Sequence, residues 1–451
     1  MIETIPRLML AGTGSGCGKT TVTCAVLQAL CNRGLRVGAF KCGPDYIDPM
    51  FHSRIIGARS ANLDLFLFGP ETLRSLMAEH GADRDVSVVE GVMGYYDGLG
   101  LTSSEASSHA VAQVTETPAV LVVNARGAAL SVLAVIGGFL DFCPASGIRG
   151  VILNCCSPMT YPALAKAVIE RFGDRIRPLG YLPKLPDCSL ESRHLGLITA
   201  DEVADLREKL RILAAQAEKS LDLDGLLALA QEAPPLEAEK PEFIKGPPVR
   251  IAVARDRAFC FTYEDSLNVL REMGAELVEF SPLTDPKLPE KISGLYLCGG
   301  YPELYAAELS GNRSMCESVR QAVQSGLPCI AECGGFLYLT EKIGDFPMAG
   351  ALPGSAFDTG KLCRFGYVNL TARTDNLLCK AGESIPAHEF HRWDCTDPGA
   401  AFDAEKPSGK RWQAAVATET LYAGFPHFHF RSNPAFAETY LAACRKETPH
   451  D

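Results

Sequence analysis

Two segments of this 451-residue chain carry residue types whose spacing could do chemistry. The first is the run GTGSGCGKTT at residues 12–21, which is rich in glycine and ends in a lysine and two threonines. Glycines allow backbone N–H groups to turn towards an anion, so the run is typical of a loop that holds phosphate. The second is AECGG at residues 331–335, where small residues surround one cysteine, as in a sharp turn that exposes a nucleophile. Together they predict a chain that consumes a nucleotide and also uses a thiolate.

The phosphate loop lies between an apolar strand at residues 8–11 and a segment with helical periodicity. We expect Lys19 to reach the β- and γ-phosphates of a nucleotide, and the Thr20 hydroxyl to help hold Mg²⁺. The loop is one residue longer than usual, because Thr13 stands where the first glycine normally lies. In this respect it resembles dethiobiotin synthetase and its relatives. The predicted ATP-binding residues of the loop are Gly14, Gly16, Gly18, Lys19, Thr20 and Thr21.

Acidic residues follow two further strands of the same predicted sheet. Glu90 ends the apolar run at residues 86–89, and Asp45 and Asp48 lie in a loop after the strand at residues 37–40. Because the carboxyl ends of parallel strands meet at one edge, these carboxylates are expected near the phosphate loop. Oxygen ligands of this kind suit Mg²⁺. The sequence therefore predicts a metal site formed by Thr20, Asp48 and Glu90.

Several longer motifs resemble the cobyrinic acid a,c-diamide synthase family, and the likeness covers nearly the whole chain. They are KCGPDYIDP (41–49), FH (51–52), SANLD (60–64), EGVMGYYDG (90–98) and RHLGL (193–197). The resemblance implies that Thr20, Asp48 and Glu90 serve Mg²⁺ and phosphoryl transfer. It also implies that substrate carboxylate and phosphate meet at Lys41, Asp45 and Tyr46.

Asparagine follows two more apolar strands, at Asn124 and Asn154. By resemblance these are the positions that recognise the nucleotide base, although asparagine after a strand is also common turn chemistry. His52 and His194 match family motifs, but the sequence assigns them no chemistry.

The second half of the chain carries residues that suit a nucleophilic cysteine site. A strand at residues 295–298 breaks into Gly299, Gly300 and Tyr301, and Cys333 lies in its small-residue turn. The N–H of Gly334 and that of Gly300 or Tyr301 could form an oxyanion hole. With a base at His427, in the run GFPHFHF (424–430), the pattern resembles class I glutamine amidotransferase domains.

One position departs from that amidotransferase pattern. Other members carry a glutamate two residues after the catalytic histidine, whereas this chain has His429. Some other group must then orient His427, and Glu389 is a candidate. For His429 and His391, packing or substrate contact is the favoured interpretation.

Composition and charge limit the partners and the compartment. A net charge of −11 gives no general attraction to nucleic acid or to an anionic membrane, and the apolar stretch at residues 127–140 is too short to span a bilayer. Seventeen cysteines occur without a CxxC pair, and the N-terminus lacks signal-peptide character. Reduced thiols and a cytoplasmic location are therefore expected.

Strand–helix alternation predicts an α/β protein with two doubly wound α/β domains. The resemblance implies that the first is a P-loop (dethiobiotin-synthetase-like) domain and the second a class I glutamine-amidotransferase-like domain. Expected boundaries are 1–198 for the ATP-dependent domain, 199–247 for a helical segment and linker, and 248–445 for the amidotransferase domain. The sequence does not decide whether two copies of the chain form a homodimer.

The predicted function is ATP- and glutamine-dependent amidation, with Mg²⁺, of a corrinoid or related tetrapyrrole polycarboxylate. The resemblance implies cobyrinate as substrate, with hydrogenobyrinate and nickel-sirohydrochlorin as alternatives. A different class is a MinD-like regulatory ATPase with an inactive amidotransferase half. Such proteins usually have a second lysine early in the phosphate loop, and this loop has none.

Overall fold

The computed structural model describes residues 2–188 and 206–446. The chain divides into two compact units, with the boundary between Pro241 and Glu242. Each unit is a mixed α/β structure built around a mostly parallel sheet, as the sequence predicts. Within the described residues, no helix has the length and apolar character needed to cross a membrane. The motif at residues 193–197 lies outside the described residues.

A seven-stranded, wholly parallel sheet forms the centre of the N-terminal unit, in the order β4-β3-β5-β2-β6-β7-β8. The strands of this unit are β1 (Ile2–Glu3), β2 (Arg7–Gly12), β3 (Val37–Cys42), β4 (Arg59–Leu63), β5 (Val86–Glu90), β6 (Ala119–Asn124), β7 (Ile148–Asn154), β8 (Arg177–Leu182) and β9 (Leu236–Glu237). Strand β1 pairs with β9 in a separate antiparallel ribbon.

Helices cover both faces of this sheet. They span Lys19–Asn32, Ile47–Phe51, Pro70–Gly81, Ser108–Val114, Ser131–Phe142, Tyr161–Phe172, Leu206–Ser220 and Leu223–Gln231, with a π-helical turn at His52–Ile56 and 3₁₀ turns at Gly173–Arg175 and Pro186–Cys188. Along β2, Leu8 and Leu10 belong to one hydrophobic core and Met9 to the other. This alternation follows from the two-residue period of a strand that is buried on both faces. Leu210 and Leu213, beyond the predicted domain limit at residue 198, belong to the same core as Leu8.

The C-terminal unit combines a six-stranded sheet of order β12-β10-β13-β15-β25-β24 with an antiparallel sheet of order β23-β22-β19-β20-β26. The first sheet is parallel except at the β24–β25 edge. The strands are β10 (Val249–Ala254), β11 (Phe259–Phe261), β12 (Ala275–Phe280), β13 (Gly294–Leu297), β14 (Gly299–Gly300), β15 (Cys329–Glu332), β16 (Lys342–Ile343), β17 (Phe346–Pro347), β18 (Ser355–Asp358), β19 (Arg364–Ala372), β20 (Ser384–His391), β21 (Trp393–Cys395), β22 (Phe402–Glu405), β23 (Arg411–Ala414), β24 (Val416–Ala417), β25 (Leu421–Gly424) and β26 (His427–Phe428).

Helices of this unit follow the parallel strands and pack into one large core. They span Glu264–Glu272, Ala306–Gly311, Arg313–Gln324, Gly334–Leu339 and Pro434–Lys446, with a 3₁₀ turn at Pro302–Tyr305. The short helix Gly334–Leu339 begins directly after β15, so the residue between them must turn the chain sharply.

Candidate active sites

The phosphate loop joins β2 to the helix Lys19–Asn32. Gly18 has a φ of +90°, and a Cβ atom there would lie 1.9 Å from Asn154 Nδ2, so only glycine fits. No side chain caps the helix, which leaves its first amides directed at the loop. Lys19 Nζ donates to the carbonyl of Gly14 at 3.2 Å and to that of Met93. The lysine is thus folded back over a loop of amides, as a phosphate-binding site requires.

Four charged or polar side chains converge beside the loop. The Thr20 hydroxyl donates to Glu90 Oε1 at 2.8 Å, and Lys41 Nζ lies 2.9 Å from the same oxygen and 2.6 Å from Asp48 Oδ2. Glu90 is completely buried, and Lys41 and Asp48 nearly so. The three residues predicted as metal ligands are therefore brought together, with Lys41 among them.

Mutual electrostatics keep Glu90 and Lys41 ionised in this buried cluster. Burial by itself would raise the pKa of Glu90, but Lys41 and His52 outweigh it and hold the pKa well below its usual value. Burial would lower the pKa of Lys41, yet Asp48, Glu90 and Asp45 keep it well above its usual value. Each charge is stabilised by the others.

The Asp45–Tyr46 turn closes the same edge. Asp45 Oδ1 accepts a hydrogen bond from the Ile47 N–H at 2.9 Å, and Asn62 Nδ2 donates to the carbonyls of Gly43 and Asp45. Burial, reinforced by the charge of Asp48, raises the pKa of Asp45 to about 7. Tyr46 is 8% exposed and precedes the helix Ile47–Phe51. These hydrogen bonds hold the turn and place Asp45 and Tyr46 next to Asp48.

The two asparagines lie opposite each other on β6 and β7. Asn154 is buried, and its Nδ2 donates to the Cys17 carbonyl of the phosphate loop at 2.9 Å. Asn124 is exposed, and its Oδ1 accepts from the Arg126 N–H, which is the turn geometry anticipated for asparagine after a strand. A role in base recognition stays a prediction for both, and Asn154 has a structural role as well.

Cys333 lies in a strained elbow between β15 and the helix Gly334–Leu339. Its φ of +45° is unusual for a residue with a side chain, and its N–H donates to the Gly424 carbonyl at 2.7 Å. A Cβ atom on Gly335 would lie 2.2 Å from the Leu297 carbonyl oxygen. The small residues after the cysteine are therefore required by backbone packing, as the sequence predicts for a nucleophile elbow.

One backbone amide, that of Gly334, bonds to the Cys333 sulfur. Burial raises the pKa of the Cys333 thiol, the carboxylate of Glu303 adds to the rise, and a hydrogen bond from the Gly334 N–H opposes it. A Cβ atom on Gly334 would lie 3.0 Å from Gly300 N, so these two backbones touch. The Tyr301 N–H donates to the Ala258 carbonyl at 2.9 Å. Of the predicted oxyanion donors, the geometry favours Gly334 and Gly300 over Tyr301.

His427 begins β26 and is buried against glycine. A Cβ atom on Gly299 would lie 2.5 Å from His427 Cε1, so that glycine makes room for the ring. His427 Nδ1 lies 3.2 Å from Oε2 of Glu332, the residue directly before the cysteine. The ring of His388, its partner on β20, stacks on it at 5.1 Å. The structure thus supplies a carboxylate for His427.

The other candidate residues of this half have different surroundings. Glu389 contacts His391 Nε2 at 3.4 Å and Trp412 Nε1 at 3.3 Å. His429 packs its ring 4.9 Å from that of Tyr263, and burial lowers its pKa to about 3. The ring contact and the lowered pKa suit a packing role, and the interpretation of His429 as a packing or substrate-contact residue stays a prediction.

Comparison with known proteins matches both halves. Residues 8–198 match a family model described as the CobQ/CobB/MinD/ParA nucleotide binding domain, and residues 250–435 one described as the CobB/CobQ-like glutamine amidotransferase domain. The chain is 40% identical to the cobyrinate a,c-diamide synthase of Caldanaerobacter subterraneus subsp. tengcongensis, over 97% of this chain and 98% of that protein. It is 39% identical to the synthase of Listeria innocua, over 98% of this chain and all of that protein. It is 38% identical to the synthase of Salmonella typhimurium, over 97% of this chain and 98% of that protein.

The chain belongs to the cobyrinate a,c-diamide synthase family. It is accordingly a glutamine-dependent amide-forming ligase with an ATP-binding domain. The family resemblance drawn from the motifs is confirmed.

Two residues of this family member's sites escaped the sequence argument. His52, which is completely buried, places Nε2 3.4 Å from Glu90 Oε2. Glu332 contacts His427 across 95 positions of sequence. A signal existed for the second, since a carboxylate inside an otherwise apolar strand must find a buried partner.

Proposed function

We propose that this enzyme amidates the a and c acetate side chains of cobyrinate, using ATP and ammonia released from glutamine. The observation that carries the proposal is the identity of 38–40% over almost the full length of relatives that bear this activity in their names. Two separate sets of groups support it, one at the phosphate loop and one at Cys333.

The N-terminal unit is proposed to activate the substrate. A carboxylate resists attack because it is anionic and its oxygen is a poor leaving group. Transfer of the γ-phosphoryl group of ATP to the acetate gives an acyl phosphate, and ammonia then displaces phosphate to leave the amide. Lys19 and Lys41 supply positive charge for this transfer, and the loop glycines and Thr21 bind the phosphates. Asp45 and Tyr46 hold the acetate, while Asn124 and Asn154 lie at the base.

The oxygen ligands present fit Mg²⁺. Thr20 Oγ1 and Glu90 Oε1 lie 2.8 Å apart, and Asp48 and Glu90 share the Lys41 ammonium. Hydroxyl and carboxylate oxygens are the ligands that Mg²⁺ prefers beside nucleotide phosphates. We assign the ion to Thr20, Asp48 and Glu90, where it would neutralise charge on the phosphates of ATP.

The C-terminal unit is proposed to release ammonia. His427 accepts the thiol proton of Cys333, and the sulfur attacks the side-chain amide carbon of glutamine. The tetrahedral oxyanion is stabilised by the N–H groups of Gly334 and Gly300, with Tyr301 beside them. Collapse gives a glutamyl thioester and ammonia, the leaving nitrogen taking the proton from His427. Water then hydrolyses the thioester to glutamate and restores the thiol.

Mass spectrometry of the products from three candidate substrates tests the proposal. Cobyrinate, hydrogenobyrinate and nickel-sirohydrochlorin are incubated separately with ATP and glutamine. Cobyrinate is expected to gain two amides with the highest kcat/KM. A higher kcat/KM with another macrocycle assigns the enzyme to that substrate. No amidation of any of the three would favour the regulatory ATPase and overturn the proposal.

A further inference from the structure

Glu332 is a buried carboxylate in a position where a charge is expensive. It is the last residue of β15, it directly precedes Cys333, and only 1% of it is exposed. An ionised carboxylate in such a place costs several kcal/mol unless it is paired and hydrogen-bonded. Its presence among apolar strand residues therefore calls for a specific pair of contacts.

Both oxygens of Glu332 have a polar neighbour. Oε2 lies 3.2 Å from His427 Nδ1, and Oε1 accepts a hydrogen bond from the Tyr296 hydroxyl at 3.2 Å. Tyr296 lies on β13 and is buried, as is His427. With one oxygen anchored by Tyr296, the other is held facing the imidazole.

The backbone fixes this geometry from both sides. Glu332 pairs with Gly424 in the parallel register of β15 and β25, and β26, which begins at His427, follows after two residues. The same register brings the Cys333 N–H to the Gly424 carbonyl. One strand end thus positions the nucleophile and the carboxylate, and the neighbouring strand end positions the histidine.

The position that usually orients this histidine cannot do so here. Two residues after His427 stands His429, whose Nδ1 accepts the Arg431 N–H at 3.0 Å. Glu389 makes its contacts with His391, Trp412 and Arg364.

We infer that Glu332 is the positioning residue of the glutamine site, taking the place of the carboxylate that related amidotransferases carry two positions after the histidine. It accepts a hydrogen bond from His427 Nδ1–H, which keeps the proton of the neutral ring on that nitrogen. Nε2 is then the basic nitrogen that takes the thiol proton, and the carboxylate stabilises the imidazolium that forms. The inference rests on the proposed roles of Cys333 and His427.

Glutamine-dependent kinetics give the first test, with Glu332→Gln as the main variant. The amide has nearly the same shape but no charge, and its NH₂ group can force the imidazole into the wrong tautomer. We expect kcat with glutamine to fall by up to about 10⁴-fold, the loss seen when the orienting carboxylate of a serine-protease triad becomes an amide. KM for glutamine should change little. Amidation with added ammonium salt should be retained, which also shows that the variant folds.

Two further variants sharpen the comparison. Glu389→Gln replaces an equally buried glutamate whose contacts are with residues other than His427, and it is expected to keep kcat within about threefold of wild type. Tyr296→Phe removes the donor that anchors Glu332 and should give a loss between those of the other two variants. A Glu332→Gln enzyme with kcat within about threefold of wild type overturns the inference.

A tautomer measurement tests the same point independently of activity. In protein labelled with ¹⁵N-histidine, the His427 signals are identified by their absence from the His427→Ala spectrum. Wild type should carry the proton on Nδ1, and Glu332→Gln should shift it to Nε2. A wild-type proton on Nε2, or a tautomer unaffected by the substitution, contradicts the inference. Failure of the proposed function looks different, because Cys333→Ala would then still use glutamine.

Discussion

Lys41 and Glu90 occupy directly opposed positions on adjacent parallel strands, and Lys41 Nζ lies 2.9 Å from Glu90 Oε1. Both side chains are almost fully removed from solvent. The ammonium ion allows Glu90 to stay ionised in a place that would otherwise favour its protonation. The carboxylate in turn keeps Lys41 charged where phosphate transfer is proposed. The register of two strands therefore determines the charge state of the site.

Replacing either charge at the phosphate site should stop amidation with both nitrogen sources. Lys19→Ala and Glu90→Gln are expected to lower the rate by about 10²-fold or more, because the acyl phosphate is needed whether ammonia comes from glutamine or from added salt. Glu90→Gln should also lower the free energy of unfolding, but by less than the roughly 3–5 kcal/mol of a buried charge left unpaired, because Lys41 keeps Asp48 as a partner. Steady-state rates and urea unfolding measure the two effects.

Exposed residues of the same unit serve as matched controls. Lys184→Ala and Glu105→Gln alter the same residue types at the surface and should leave both measurements unchanged. Near-normal ammonia-dependent amidation by Lys19→Ala or Glu90→Gln would show that phosphoryl transfer does not use these residues.

Substitutions at the cysteine site should reduce amidation with glutamine but not amidation with ammonium salt. Cys333→Ala is expected to abolish glutamine-driven amidation and to retain activity with ammonium salt, because phosphorylation is assigned to the other unit. His427→Ala should behave in the same way. It should lose more glutamine-driven activity than His429→Ala, since His429 packs its ring against Tyr263. Product formation with each nitrogen source gives the answer. Glutamine use by Cys333→Ala, or a larger loss in His429→Ala, contradicts the assignment.

Substitutions in the turn at residues 45–48 should distinguish a residue that binds metal from one that orients the substrate. Asp48→Asn is expected to slow amidation at both acetates alike, because its carboxylate is assigned to Mg²⁺. Tyr46→Ala should leave ATP affinity unchanged but alter the ratio of monoamide to diamide, since an uncharged phenol suits contact with the macrocycle better than with metal. Mass spectra over time and ATP titration measure both. Loss of ATP binding by Tyr46→Ala with a normal product ratio would reverse the roles.

Glu303 should make the stability of the enzyme depend on pH. Burial, with a smaller contribution from Asp358, raises the pKa of Glu303 from 4.5 to about 7. The folded state thus favours the protonated form. Stability from this group is complete below about pH 4.5 and is lost as the pH rises through about 7.

Glu303→Gln removes that loss. The unfolding free energy of the variant minus that of wild type should increase by on the order of 1–3 kcal/mol when the pH is raised from about 5 to about 8. Urea unfolding at both pH values measures it, and Glu438→Gln, an exposed substitution, is the control. Equal stability differences at the two pH values would rule out the titration of Glu303.

Features encoded within one continuous segment could be read from the sequence. The phosphate loop needs glycines, a lysine and a threonine at fixed spacing, and the Cys333 elbow needs small neighbours because the backbone passes within contact distance of β13. Strand–helix alternation likewise gave the parallel sheets. In these cases backbone conformation and local packing leave few residue types possible, so the pattern itself carries the structure.

The pairing of buried polar side chains was decided by tertiary structure alone. Lys41 meets Glu90 across 49 positions of sequence, and Glu332 meets His427 across 95. Neither pair follows from local propensity, because strand order and register bring the partners together. The need for a partner was fixed by the sequence, since a buried carboxylate is unstable alone. The fold determined which residue lies beside His427: it is Glu332, and neither Glu389 nor the residue at position 429.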